Sequence, residues 1–190
     1  MNSQLFFLIH NLSGHSHLLD DVMIFFTSDA FLLFAIVLLI AWLAGKSQLK
    51  SIVLYAGITG IVGLLLNVLI GSLYYEPRPF VTYHIHILLP HAKDDSFPSD
   101  HATGTFAIAF ALWLRNRKLG SVMIGCAILT GISRVYVGHH YPMDVAASIV
   151  IALVVSIAIY KVERYVDPLV RSIINGYNSL VEKLIRKRFS

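Results

Sequence analysis

The sequence predicts an all-α integral membrane protein, a bundle of about five transmembrane helices with an N-terminal interfacial helix and a cytoplasmic amphipathic C-terminal helix. Composition is the first reason: 56% of the 190 residues are hydrophobic and 14% are charged, and the mean hydropathy of +0.70 exceeds what a water-soluble globule carries. The second is that five apolar runs, at 22–44, 52–75, 101–114, 119–137 and 142–160, are long or apolar enough to be membrane helices. The third is that Lys and Arg collect at alternate ends of those runs. The chain reads as a single domain, with an interfacial segment at 1–21, a transmembrane core at 22–160 and a cytoplasmic tail at 161–190.

Each element has its own justification. The apolar stretch at 5–12 is too short to span and no cationic region precedes it, so it reads as an interfacial helix rather than a cleaved signal peptide. The run at 52–75 carries Ala56, Gly57, Gly60 and Gly63, small residues three and four apart that let another helix approach closely. The third run is the weakest, because its 13 uncharged residues at 102–114 fall below the ~20 of a full span. Pro98 and Ser99 are expected to begin that helix early, and Arg115 and Arg117 to snorkel at its far end. Val166, Leu169, Val170, Ile173, Tyr177, Leu180, Val181 and Leu184 recur at three-to-four spacing in the tail, which ends in KLIRKR and is expected to lie along anionic lipid headgroups. The net charge of +4 therefore calls for no nucleic acid. The single cysteine, Cys126, rules out an intrachain disulfide.

Charge sets the expected topology. Lys46 and Lys50, then Arg115, Arg117 and Lys118, then the seven basic residues from Lys161 to Arg188 make twelve of the 15 and share one side. Arg78, Lys93 and Arg134 are left on the other. Basic residues mark the cytoplasmic side, so the N-terminus and the 76–100 loop are expected to face outward. All nine histidines, His10, His15, His17, His84, His86, His91, His101, His139 and His140, fall on that outer side.

Three polar clusters meet there: YYEPRPF at 74–80, FPSDH at 97–101 and SRVYVGHHYPMD at 133–144. Singly, Arg78 and Arg134 read as interfacial anchors and Ser99 as a helix cap. Together they form an anion clamp: two arginine forks, the Ser99 hydroxyl and the N–H groups at a helix start can all donate to phosphate. An arginine at membrane depth also calls for a partner or ligand. His140 is the nucleophile candidate, with Asp144 holding its far nitrogen. With Pro142 as first helical residue, Asp144 also stands where an acidic side chain merely caps the helix. His101 is the candidate general acid. Rival readings are a metal site at His84 and His86 or at His139 and His140, neither at helical i, i+4 spacing, and a drug-binding or transport protein. Transporters place ionisable groups near the midplane, where this chain offers little beyond Asn67.

The order Arg78-Pro79, Pro98-Ser99-Asp100-His101, then Ser133-Arg134, His140 and Asp144 resembles the type 2 phosphatidic acid phosphatase superfamily, which also includes vanadium haloperoxidases. The words EPRPF, FPSDH and VGHHYP are similar to those of the bacitracin-resistance undecaprenyl-diphosphate phosphatases. The resemblance implies hydrolysis of undecaprenyl diphosphate to undecaprenyl phosphate and orthophosphate without metal or other cofactor, recycling the cell-wall carrier lipid. It implies a phosphohistidine at His140, His101 as acid, and Arg78, Ser99 and Arg134 on the phosphate. Expected partners are a polyprenyl diphosphate and the surrounding membrane lipids, with a homodimer an open option; the expected location is a bacterial cytoplasmic membrane with the active site outside. Phosphatidic acid and phosphatidylglycerol phosphate are the alternative lipids. Two positions depart from the superfamily pattern: Gly71 replaces a lysine and Asp100 replaces a glycine. Lys93 is the candidate substitute for the missing cation, and Asp100 is expected to point away from phosphate or to orient a neighbour.

Overall fold

The structure, a computed structural model, describes residues 1–189, with side chains through 187. Nine helices are formed among the described residues: α1 (Asn2–His10), α2 (His17–Ser28), α3 (Ala30–Ala44), α4 (Ser47–Leu73), α5 (Pro79–Thr82), α6 (Asp100–Arg115), α7 (Arg117–Tyr136), α8 (Pro142–Lys161) and α9 (Glu163–Phe189). Helices α4, α7 and α8 are each long and apolar enough to cross a membrane, and α2 with α3 reaches that length and apolarity only as a bent pair.

That bend departs from the expected straight span at 22–44. The two helices meet at 64°, with Asp29 between them at φ −110° and ψ 5°. The break lies in the backbone angles at Asp29, whose side chain makes no cap hydrogen bond. The turn wastes few bonds, since Asp29 N–H still donates to Phe25 O at 2.8 Å and Leu33 N–H to Asp29 O at 2.9 Å.

Helix α6 is the hub, packed against α4, α7 and α8. Its 16 residues span only about 24 Å at 1.5 Å each. The helix starts at Asp100, with Ser99 as N-cap and Pro98 outside it. Ala102, Thr103, Gly104, Thr105, Phe106 and Ala107 are all buried. A helix surrounded by protein has no lipid to match, which is why its apolar signal is the weakest. The small residues of α4 serve this packing: a Cβ at Gly60 would lie 3.0 Å from Ile108, and one at Gly63 would lie 3.3 Å from Thr103, whereas Gly57 faces open space. Hydroxyls add interhelical bonds, with Ser148 Oγ donating to Ser99 O at 3.1 Å, Ser156 Oγ to Ala107 O at 3.2 Å and Thr27 Oγ1 to Ser133 Oγ at 2.9 Å.

Both ends of the bundle are covered. Helix α1 buries Phe6 against Val135 and Tyr141, and His10 Nδ1 donates to Tyr136 O at 2.9 Å, so the N-terminal segment closes the end of the bundle where α7 meets α8. At the other end α9 buries Val170 and Ile174 against Tyr55. Tyr55 Oη donates to Asp167 at 2.6 Å and Arg115 to Glu163 at 2.9 Å. The tail thus docks on the bundle by one stripe, while Leu169, Leu180, Leu184 and Ile185 stay exposed.

A single residue, Asn116, joins α6 to α7, and a Cβ at Gly120 would collide with the backbone of Trp113. Gly120→Ala is expected to destabilise by about 1–3 kcal/mol through overpacking, seen as a lower melting temperature in detergent. Gly125→Ala, with open space beside Gly125, should melt at or slightly above wild type.

Candidate active site

The ends of α4 and α7 and the starts of α6 and α8 converge on a cavity of about 410 Å³. Its polar end is formed by Arg78, Arg134, His140, His91 and Asp94, and its apolar wall by Phe31, Leu64 and Val68. A polar end beside an apolar wall suits a charged headgroup on an apolar chain.

Arg78 precedes Pro79 at the start of α5 and is buried, with 6% exposure. Its Nη1 donates to His139 O at 3.1 Å and to His140 Nε2 at 3.1 Å, and its Nε to Asp94 at 2.7 Å. Arg134 sits in the last turn of α7 at 3% exposure, where the C-terminal end of the helix dipole favours a cation. Its Nη2 reaches His140 Nε2 at 3.3 Å and His91 Nε2 at 3.1 Å, while its buried Nε has no partner. Nε and Nη2 form one edge of the guanidinium fork, the geometry that takes two oxygens of one anion.

The turn from α7 to α8 aims His140. Gly138 takes φ +93°, a left-handed conformation that glycine adopts at little cost. The N–H groups of His139 and His140 both return to Arg134 O, at 3.0 and 3.2 Å. His140 Nδ1 lies 2.8 Å from Ser96 O. A carbonyl only accepts, so Nδ1 carries the hydrogen and Nε2 presents its lone pair to the two guanidiniums. Burial, followed by the charges of Arg134 and Arg78, holds the His140 pKa well below the usual imidazole value. The ring is therefore neutral and nucleophilic at physiological pH.

The expected pairing of His140 with Asp144 is looser than a hydrogen bond, at 3.5 Å from Nδ1 to Oδ2. Ser96 fills the role instead: its carbonyl takes the Nδ1 hydrogen, and its hydroxyl donates to Asp144 Oδ2 at 2.5 Å. Asp144 also accepts from Tyr141 N–H at 2.8 Å. The capping and the histidine-facing readings of Asp144 thus hold together, with one oxygen shared by cap and hydroxyl and the other without a partner. Two backbone links place Ser96: Ser96 N–H donates to Glu76 O at 2.8 Å, and Pro77 bridges Asp95.

His101 lines the cavity, its ring 4.7 Å from that of Phe31. Phe31 reaches it because Gly104 has no Cβ, which would stand 2.6 Å from the Phe31 ring. Ser99 is fully buried as the α6 cap, its Oγ 3.5 Å from Ala102 N, and its side chain is not part of the cavity wall. Asp100 does line the cavity, and Asn67 Nδ2 donates to its Oδ1 at 3.0 Å. Lys93 is exposed outside the cavity lining. Nor does it stand beside Gly71: a Cβ there would be 2.5 Å from Asp95 Oδ2, so a carboxylate occupies the space next to the absent lysine. Of the histidine pairs, His139 turns its Nε2 to Leu89 O at 2.9 Å while His140 turns to Ser96. Among the described residues no group of three or more His, Cys, Asp or Glu is arranged to hold a metal ion.

The sequence pattern of the PAP2 superfamily matches residues 48–167, a stretch that contains all three clusters. The chain belongs to the PAP2 superfamily. This PAP2 protein is 46% identical over 187 residues to the undecaprenyl-diphosphatase BcrC of Bacillus subtilis (strain 168), a match covering 98% of this chain and 97% of the relative. It is 32% identical over 161 residues to the bacitracin transport permease protein BcrC of Bacillus licheniformis, covering 84% and 79%. The PAP2 fold also matches the crystal structure of Aquifex aeolicus LpxE with a TM-score of 0.67 at 26% identity, covering 84% of this chain and 94% of the other. The resemblance read from the clusters is thus a family relationship over nearly the whole chain.

Ser96→Ala is expected to remove a donor from the buried Asp144 carboxylate, a loss of about 1–3 kcal/mol. The measurement is thermal unfolding in detergent, and a melting temperature equal to wild type would show that Asp144 draws no support from that hydroxyl.

Proposed function

We propose that this PAP2 protein hydrolyses undecaprenyl diphosphate to undecaprenyl phosphate and orthophosphate through a phosphohistidine at His140. The reaction class rests on His140 Nε2, whose lone pair faces two buried guanidiniums. The lipid rests on 46% identity, over 98% of the chain, to a protein named undecaprenyl-diphosphatase.

In the first step the Nε2 lone pair attacks the terminal phosphorus, an N–P bond forms, and the bridging P–O bond breaks. Arg78 and Arg134 meet the charge on the equatorial oxygens, joined by the first-turn N–H groups of α6 that Ser99 caps. The leaving group is the lipid monophosphate and His101 is its acid, taking up a proton with the diphosphate, whose negative charge offsets the burial and the guanidiniums that otherwise keep that imidazole neutral. Nδ1–H stays on Ser96 O, and the nearby Asp144 carboxylate steadies the cationic ring. In the second step water attacks phosphorus, His101 accepts its proton, and orthophosphate leaves as the N–P bond breaks. A monophosphate is a better leaving group than a lipid alcohol, which fits a pocket with glycine in place of a lysine. The apolar wall of Phe31, Leu64 and Val68 would carry the start of the prenyl chain.

The decisive experiment is orthophosphate release by the purified protein from farnesyl or undecaprenyl diphosphate, phosphatidic acid and phosphatidylglycerol phosphate under matched detergent conditions with EDTA present. The diphosphates should turn over fastest. Faster turnover of either glycerolipid would reassign the substrate and leave the phosphatase chemistry standing. His140→Ala should lose turnover by about 10⁴-fold or more together with any acid-labile phosphoenzyme, as expected for a nucleophile. Near-normal release by that variant would end the phosphohistidine mechanism. Asp144→Asn should lower kcat more than it raises KM.

The proposed setting is the cytoplasmic membrane of a bacterium with the site facing outward, supported by the twelve basic residues at the opposite end. In intact cells a cysteine at position 93, from Lys93→Cys, should react with an impermeant thiol reagent, and Arg117→Cys should not. The reverse pattern would invert the topology. Facing outward, the site would serve lipid released outside, and extra copies would raise bacitracin tolerance by competing for the lipid diphosphate.

A further inference from the structure

One outer segment already engages both arginines. Asp94 accepts from Arg78 Nε at 2.7 Å and His91 from Arg134 Nη2 at 3.1 Å, and the two residues approach each other at 3.6 Å between Nδ1 and Oδ1. The partners differ in kind. His91 lies where burial and both guanidiniums lower its pKa, so it contacts Arg134 as a neutral acceptor. Asp94 remains ionised: burial pushes its carboxyl up, but the hydrogen bond and charge of Arg78 outweigh that and bring it below the usual value. Its side chain is 53% exposed, against 7% for Arg78. A half-exposed carboxylate on an outer loop is therefore bonded to a buried cation of the phosphate clamp.

We propose that Asp94 is an internal competitor for that clamp: it holds Arg78 while the site is empty, yields to the substrate phosphate, and returns as orthophosphate leaves. This rests on the phosphatase reading above. Two buried forks suit an anion that takes several charge-assisted bonds at once, and such a site risks retaining its product. A tethered carboxylate competes at the high effective concentration of an intramolecular ligand. It carries one charge and occupies only Nε of Arg78, so a phosphate group with more oxygens and more charge displaces it, while the waiting carboxylate keeps product affinity low. The other acidic residues of the cavity are not placed for this: Asp100 is bonded to Asn67, and Asp95 lies against Gly71.

The test is product inhibition of the purified full-length protein, turning over farnesyl diphosphate in detergent with added orthophosphate. Asp94→Asn keeps an oxygen that can accept from Nε but removes the charge, and should lower the Ki for orthophosphate about fivefold, the scale of a half-exposed charge-assisted bond. Asp94→Glu, which restores the carboxylate, should return the Ki toward wild type, and Asp95→Asn should leave it unchanged. A Ki for Asp94→Asn equal to or above wild type overturns the inference, because Asp94 would then only orient Arg78. An equal drop in Asp95→Asn overturns it too, because the effect would be the general field of the cavity. Lack of turnover by wild type would instead defeat the phosphatase reading, so the two failures are distinct.

Discussion

Two buried guanidiniums share one imidazole nitrogen, and most of the half of the molecule around them can be understood as what makes that tolerable. Like charges removed from water repel one another and lose solvation, and they persist only where acceptors and opposing dipoles surround them. Here four acceptors come from two separate parts of the chain: the carbonyl of His139 and the ring nitrogen of His140 from the turn after α7, and the ring nitrogen of His91 and the Asp94 carboxylate from the loop before α6. Arg134 gains further from the carbonyl end of α7. The Gly138 turn, the Tyr141 cap and the Glu76–Ser96 link all act to hold these acceptors in place.

The same requirement explains why α6 sits at the centre. Its N-terminus must open into the cavity and bring His101 there, while its flank receives Gly60 and Gly63 of α4 and the hydroxyls of α8. Close backbone approach and interhelical hydrogen bonds drive association in lipid, where apolar burial alone gives little preference for protein over lipid. The Asn67 side chain shows how packing and site connect: it donates to Asp100 at 3.0 Å and accepts from Thr103 Oγ1 at 3.1 Å. A carboxylate in place of the superfamily's glycine is thereby held from the α4 side.

What could be read from the sequence was what local pattern encodes. Arg78, His101, Arg134, His140 and Asp144 stood out because unusual residue types recur at fixed spacing beside apolar runs, and the structure gathers them at one rim. Ser96, Asp94 and His91 gave no such signal, since they lie in a loop whose path is set by contacts to distant residues, the Glu76 carbonyl and Arg78 among them. Lys93 was the opposite case: its charge suggested a role that the loop's path does not support, its neighbour Asp94 being the one turned toward the cavity. Hydropathy marked 22–44 as apolar but could not register the backbone angles at Asp29. The spacing of α9 showed a stripe without showing that Val170 and Ile174 meet Tyr55.

The single-residue joint at Asn116 bears on how the protein reaches its membrane. Arg115, Arg117 and Lys118 surround that joint, so α6 and α7 form a hairpin with a cationic tip. During synthesis α6 emerges first, and it is too short and too polar in its first turns to settle in lipid by itself. Joined to α7, it can insert as one unit whose cationic tip stays on one side of the membrane, and His101 crosses to the other on a segment that its successor in the chain carries into the bilayer.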